Sequence, residues 1–467
     1  MQLGVIGLGT MGANLARNAA RNGAEVAVFN RTTKVTNQFI KTHGKEGKFT
    51  ACKTYENLVS ALKAPRAILV MVKAGEATDA VRKDLVPLLD KGDIIIDGGN
   101  SHFPDTERRC NELKEKGINF IGMGISGGEV GALEGPSMMP GGDLKAYKQL
   151  EPLFKLMAAD DGSGGKCISY MGDGGAGHFV KMVHNGIEYG VMQVIAESYD
   201  ILRTLGNFSN EKFAQIYDSW NQAENLESYL MEITAKIFTK KAKDKDLIDL
   251  IADRAGQKGT GKWTTQAALD FGVPIPTINA AVDARIISGS VDLRTRMKDF
   301  PHQLDEHDPI PPPEKFASLV RSAVEQSIIC VYLQGFTLIR KASDENKWKI
   351  NLGEIARIWK RGCIISSSLL EKLERTFGRK ESEVKAAKEE LLERFKGERQ
   401  LDWRRVLERG ISHGVPLPAI SASVSYYDAL KKESLPQNLI QAQRDYFGSH
   451  TFERTDKGGS FHADWPT

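Results

Sequence analysis

The chain has 467 residues, 41% of them hydrophobic and 26% charged, which excludes a disordered, collagen-like or coiled-coil protein. Lys and Arg total 63 against 60 Asp and Glu, so the formal net charge of +3 provides no positive field for a nucleic acid. At roughly 100–200 residues per domain, the length allows two to four domains.

Strand candidates come first along the chain: Leu3–Ile6, Glu25–Phe29, Ala67–Val72, Asp93–Asp97, Phe120–Met123 and Cys167–Met171. Amphipathic stretches such as Gly12–Asn22 and Ala77–Leu89 lie between several of them. Buried apolar strands alternating with helices read as βαβ units, hence an α/β domain with a mostly parallel sheet over residues 1–176. From Gly177 to about residue 434 the strand-like runs vanish. Long helical patterns replace them, punctuated at Gly256–Gly261, Gly272–Pro276, Pro309–Pro313 and Gly414–Pro418, so a large all-α domain is expected. A weak repeat runs through it. Gly272-Val-Pro-Ile-Pro is echoed by Gly414-Val-Pro-Leu-Pro, and Ala196–Arg203 by Leu333–Arg340, at offsets of 142 and 137. A duplicated helical bundle is the reading; chance similarity is the alternative. At the second offset Lys181 falls opposite Ser318. Residues 435–467 form a polar tail without helical periodicity. It still carries Tyr446, Phe447, Phe452, Phe461 and Trp465, so it packs on something.

The first motif, Gly7-Leu8-Gly9-Thr10-Met11-Gly12, follows a strand and opens a helix, the context of a dinucleotide fingerprint. Its glycines allow the turn, the approach of a pyrophosphate and close helix packing. About 20 residues on, where NAD enzymes carry a carboxylate, stands Phe29-Asn30-Arg31-Thr32. Arg31 can pair with a 2′-phosphate, helped by Thr32, which argues for NADP; a plain surface arginine is the bland alternative. Gly124-Ile-Ser126-Gly127-Gly128 ends another strand and exposes a hydroxyl and N–H groups to an anion such as a carboxylate. Asn100, at a further strand end, faces the same crevice. Lys181, His184, Asn185 and Glu188 stand at i, i+3, i+4 and i+7, on one helix face. A solvated Lys–Glu face is the default for such a pattern. His and Asn are poor choices for one, and the helix starts where the nucleotide domain ends. Desolvation there would free Lys181 as a base and keep Glu188 protonated as an acid. Gly256-Gln-Lys258-Gly-Thr260-Gly-Lys262 is a basic glycine-rich loop that could grip phosphate. Arg285, Arg444 and His450 would complete such a pocket from distant segments. Five scattered Cys lack any C-x-x-C and read as reduced thiols. Nine His show no metal-ligand spacing, so no metal is expected. There is no basic segment ahead of an apolar stretch at the N-terminus, and no apolar run of membrane-spanning length is evident. A cytoplasmic protein with neither membrane nor nucleic acid as partner is therefore expected.

Taken in order, G-L-G-T-M-G, F-N-R-T, V-K-A-G, D-G-G-N-S, G-I-S-G-G, G-H-F-V-K-M-V-H-N-G-I-E-Y-G, G-Q-K-G-T-G-K-W, G-V-P-I-P and A-Q-R-D-Y-F-G-S-H-T-F span essentially the whole chain. On these motifs it closely resembles the decarboxylating 6-phosphogluconate dehydrogenases. The resemblance implies a Rossmann domain, a duplicated helical domain and a tail that threads into the other subunit of a homodimer. It implies conversion of 6-phospho-D-gluconate to D-ribulose 5-phosphate, CO2 and NADPH without a metal. Lys181 would be the general base, Glu188 the general acid and Asn185 part of the catalytic set. Asn100, Ser126, Gly127, Gly128, His184 and Asn185 would hold the substrate's carboxylate and hydroxyls. Tyr189, Lys258, Thr260, Arg285, Arg444 and His450 would hold its phosphate. The loop from Gly7 to Gly12, Asn30, Arg31, Thr32, Val72, Lys73, Ala74 and Asn100 would contact NADP. Val130, Val191 and the segment Ser288–Arg296 depart from the pattern, the last leaving its helix geometry open.

Overall fold

A computed structural model describes residues 1–300, 304, 309–378 and 381–466. Seven strands form the N-terminal sheet: β1 (Gln2–Ile6), β2 (Glu25–Phe29), β3 (Lys48–Cys52), β4 (Ala67–Val70), β5 (Ile94–Asp97), β6 (Asn119–Ser126) and β7 (Ser137–Gly142). Their order is β3-β2-β1-β4-β5-β6-β7. All pairings are parallel except β6–β7. Strands β1, β2, β4 and β5 are apolar on both sides because helices cover both sheet faces. The order reverses between β1 and β4, and at such a switch point the loops leaving the strand ends open a crevice. Gly7–Gly12 leaves β1 there, and Val72–Ala74 leaves β4.

Two strands differ from the sequence reading. Cys167–Met171 makes only isolated bridges, including Met138 with Ile168, and the sheet edge is Ser137–Gly142 instead. That edge carries Pro140 and two glycines, a composition tolerated only on an edge. Polar β3 lies at the opposite edge and is largely exposed, so it showed no apolar run.

The helical half is organised by two long helices that pack along each other, Ala176–Gly206 and Pro313–Asn346. The repeat is visible in the backbone. Gly272 and Gly414 take φ of +62° and +68°. The caps that follow, Ile275 (φ −128°, ψ 52°) and Leu417 (φ −124°, ψ 56°), start helices Pro276–Gly289 and Pro418–Lys431 in the same way. Each long helix caps one of them: Gln334 Oε1 accepts Thr277 N–H at 3.1 Å, and Glu197 accepts Ala419 and Ile420 N–H at 2.8 and 2.9 Å. Glu197 and Gln334 stand at the second sequence offset, so duplication accounts for the repeat and chance does not. The second long helix also corrects the expectation about apolar runs. Its mean hydropathy of 1.3 over 18 residues is high enough for a span by length and composition, yet 67% of that window is buried in the protein. Over Ser288–Arg296 the chain breaks at Ser290 and restarts as a short helix, Val291–Met297.

The first long helix lies directly on the sheet because glycines remove the side chains between them. A Cβ on Gly177 would stand 2.3 Å from Met139 O and 2.4 Å from Gly122 O. One on Gly124 would stand 2.4 Å from Lys181 Cβ. Backbone cannot yield as a side chain can. Gly177→Ala is therefore expected to destabilise by about 3 kcal/mol, at the upper end of overpacking costs, read as a lower urea midpoint with unchanged slope.

The tail differs from expectation as well. Gln437–Gly448 is a helix, followed by a hairpin of Phe452–Glu453 with Ser460–Phe461. Its apolar residues Leu439, Ile440, Tyr446 and Phe447 stand at i, i+1, i+7 and i+8 on one helix face, a period the sequence reading missed, and that face is exposed in this chain. Fully buried Asp445 holds the segment together. It accepts from Thr451 N, His462 Nδ1, Ala463 N and Trp465 Nε1, and those bonds hold its carboxyl down at about 2. The bend after Arg444 falls at Ser449 and Thr451, with φ of +49° and +61°.

Candidate active site

The cofactor end of the crevice is shaped by missing side chains. A Cβ on Gly12 would lie 1.9 Å from Gly7 O, so the helix Thr10–Arg21 starts hard against the turn. Around Gly9 nothing lies within 4 Å of that position, leaving room for a phosphate at the helix N-terminus. Asn30 Oδ1 accepts Leu8 N–H at 3.0 Å and ties the glycine loop to the end of β2. Arg31 and Thr32 are exposed just beyond, and the Thr32 hydroxyl makes no capping bond. Val72 lies beside Gly7, and Lys73 O accepts the Thr78 hydroxyl as the chain turns into the next helix. After β5, buried Asp97 accepts Gly99 N–H and Ser101 O–H, at 3.0 and 2.6 Å, a turn that leaves Asn100 exposed. These residues fit a dinucleotide bearing an extra phosphate near Arg31.

The chemical centre sits where the first long helix crosses the end of β6. Ser126 is the last residue of β6, and Gly127 and Gly128 follow with φ of +118° and +62°. His184 Nε2 lies 3.0 Å from Ser126 Oγ. His184 Nδ1 lies 3.1 Å from Asn185 Oδ1 and 3.2 Å from Lys181 Nζ. Glu188 Oε2 is 3.9 Å from the same nitrogen. Lys181, His184 and Asn185 of that face are therefore buried against the sheet, with Glu188 half-buried at its end. Burial lowers the Lys181 ammonium's pKa, partly opposed by Glu188. It raises the Glu188 carboxyl, opposed by Lys181 and Arg285, and holds His184 neutral.

One turn further on, the Arg285 guanidinium lies 3.5 Å over the Tyr189 ring and donates to Gly256 O at 3.2 Å. Gly261 admits that ring, since a Cβ there would be 2.5 Å from it. Buried Thr260 opens the adjacent helix Thr260–Asp270, and Lys258 is exposed in the loop before it. Tyr189, Thr260, Lys258 and Arg285 thus converge. Arg444 and His450 do not join them within one chain: Arg444 donates to Gln441, and the His450 ring packs on Phe447. Among the described residues, hydrogen bonds and ion pairs of the tail stay within residues 436–466.

Sequence reasoning missed the loop that closes the centre from above. Gly362, Cys363 and Ile364 follow the helix Leu352–Trp359, inside the second helical copy. Ile364 N–H donates to Ser126 Oγ at 3.3 Å, and Cys363 Sγ lies 3.1 Å from His184 Nε2. Nothing periodic marks these residues; only the tertiary fold delivers them. The His102 ring stacks on Trp263 at 4.7 Å, joining the Asn100 turn to the glycine-rich loop, and was equally silent. Among the described residues, no cluster of three or more His, Cys, Asp or Glu is placed to hold a metal ion.

Fold and site together define a nicotinamide-nucleotide dehydrogenase whose helical domain brings the buried Lys181, His184 and Asn185 to the crevice. Residues 2–172 match the model for the NAD binding domain of 6-phosphogluconate dehydrogenase, and residues 177–465 match that for its C-terminal domain. A decarboxylating 6-phosphogluconate dehydrogenase of Synechococcus elongatus is 48% identical over 99% of both chains. The Bacillus subtilis protein named 6-phosphogluconate dehydrogenase, NADP(+)-dependent, decarboxylating, is 46% identical over 99% of both. The solved Plasmodium falciparum 6-phosphogluconate dehydrogenase, described in apo form and in complexes with its cofactor NADP+ and its substrate 6-phosphogluconate, superposes with a TM-score of 0.93. It is 40% identical, and each chain is covered completely. This chain belongs to the 6-phosphogluconate dehydrogenase family.

Proposed function

We propose that the chain oxidises and decarboxylates 6-phospho-D-gluconate to D-ribulose 5-phosphate and CO2, using NADP and no metal. The observation that carries this reading is the buried Lys181, whose pKa burial lowers, nearly two turns before the Glu188 carboxyl, whose pKa burial raises. When bound, the nicotinamide supplies the two-electron acceptor. Neutral Lys181 takes the proton of the substrate's 3-hydroxyl, held by Asn185 and His184. Ser126 and the N–H groups of Gly127 and Gly128 hold the carboxylate, with Asn100 beside it. Protonated Lys181 then polarises the new carbonyl, and the β-keto acid loses CO2. Glu188 delivers a proton to C1 of the enediol. Tyr189, Lys258, Thr260 and Arg285 grip the terminal phosphate, with Arg444 and His450 of the partner subunit in a homodimer. Formation of NADPH and CO2 in equal amounts from 6-phosphogluconate with EDTA present tests the reaction; NADPH without CO2, or no absorbance change, overturns it.

NADP preference rests on Arg31. Arg31→Gln removes one charge-assisted interaction of about 1.5–3 kcal/mol. The ratio of kcat/KM for NADP over NAD should fall roughly tenfold to a hundredfold. An unchanged ratio assigns the preference elsewhere.

A further inference from the structure

His184 is enclosed by four polar groups whose chemistry decides which ring nitrogen carries the proton. Asn185 Oδ1 and Lys181 Nζ face Nδ1, whereas Ser126 Oγ and Cys363 Sγ face Nε2. Ser126 Oγ accepts from Ile364 N–H, and its own proton is free to reach either the ring or the neighbouring Cys363 Sγ. Cys363 is buried, and burial pushes its thiol up to about 12, so it carries an S–H that donates. A neutral ring that accepts at Nε2 has its proton on Nδ1 and gives it to Asn185 Oδ1. Nδ1 then has no lone pair for Lys181. An ammonium at 3.2 Å would set N–H against N–H, whereas a neutral amine presents a lone pair to it.

We propose that Cys363 is a positioning residue: its thiol proton on Nε2 keeps His184 in the Nδ1–H form and thereby keeps Lys181 unprotonated. Two observations single out the thiol. Under the function proposed above, on which this inference rests, Ser126 turns its hydroxyl to the substrate's carboxylate, which leaves Cys363 as the donor on Nε2. Cys363 is also held independently of the helix that carries Lys181. Its neighbour Gly362 (φ +64°) presses its carbonyl against Gly127 and accepts Ser137 N–H at 2.7 Å. The titratable groups that face Lys181 are His184 and Glu188 on its own helix and Cys363 from this loop, while Arg285 acts on Glu188 from the helix Pro276–Gly289.

The test uses the full-length enzyme. Lys181 must be deprotonated to act, so the ascending limb of kcat against pH reports its proton in the substrate-bound enzyme, where Ser126 is turned from the ring. Cys363→Ala should move that limb upward by about half a unit to one unit. The ¹⁵N shifts of His184 in histidine-labelled protein with 6-phosphogluconate bound should move away from the Nδ1–H pattern. Cys363→Ser, which restores a donor, should keep both near wild type. An unmoved limb or an unchanged tautomer in Cys363→Ala overturns the proposal, as does a Ser variant displaced as far as Ala. If Cys363→Ala fails to fold, Cys363→Ser and Cys363→Thr decide, since two hydroxyl donors that both displace the limb overturn it. Lys181→Met is the reference. A limb that survives in it overturns the base assignment itself, while a Lys181-dependent limb that Cys363→Ala leaves in place overturns only this inference.

Discussion

Lys181→Met is expected to lower kcat for NADPH formation by about 10³-fold or more, at the upper end of what a positioned base contributes. Affinity for NADP should change by less than about threefold, because the glycine loop, Asn30 and Arg31 lie on other elements. Methionine keeps the length and apolar stem of the side chain, so packing against Gly124 survives and the loss reads chemistry. The two flanking groups set the pH dependence. Lys181 acts as an amine, so activity rises as it loses its proton, and burial brings that rise to lower pH. Glu188 acts as an acid, so activity falls as it ionises, and burial delays that fall to higher pH. Rapid-mixing absorbance at several pH values checks both limbs. Turnover within tenfold of wild type in a folded Lys181→Met protein contradicts the assignment.

Removing the tail after Asn438 is expected to raise KM for 6-phosphogluconate by about 10²-fold or more while leaving NADP affinity nearly unchanged. Two charge-assisted hydrogen bonds to one phosphate, at about 1.5–3 kcal/mol each, account for that size. Within its own chain the tail is bonded to itself through Asp445 and exposes Tyr446 and Phe447, surface that an aromatic segment normally buries. A second copy of the chain is the occupant the homodimer reading supplies. Mixing an Arg444→Ala chain with a Lys181→Met chain separates the two arrangements. If sites are shared, half the dimers after random exchange are mixed and hold one intact site of two, so about a quarter of wild-type activity returns. Persistent inactivity after verified subunit exchange places Arg444 in its own subunit's site.

Much of the architecture was legible because local chemistry and the fold agree. Apolar strands with a Gly-x-Gly-x-x-Gly turn imply a parallel sheet with a phosphate cradle wherever they occur, and the structure has both. The i, i+3, i+4, i+7 spacing placed Lys181, His184, Asn185 and Glu188 on one face by helix geometry alone. Elements without such a period were not legible. Polar edge strand β3 and the Pro- and Gly-containing edge β7 lack an alternating or β-branched run, so nothing in their order of residues separates them from loop.

The amino-acid sequence by itself determined the class of fold, the glycine turn after the first strand and which residues share the helix face of Lys181, since each follows from spacing within a short segment. Only the tertiary structure decided that the face is dry. Glycines 122, 124 and 177 let the helix sink onto the sheet, and that contact, made between residues more than 50 positions apart, desolvates Lys181. The tertiary structure also brought Cys363 to His184 across 179 residues. No local pattern encodes such a meeting, because it depends on how two separately formed halves pack.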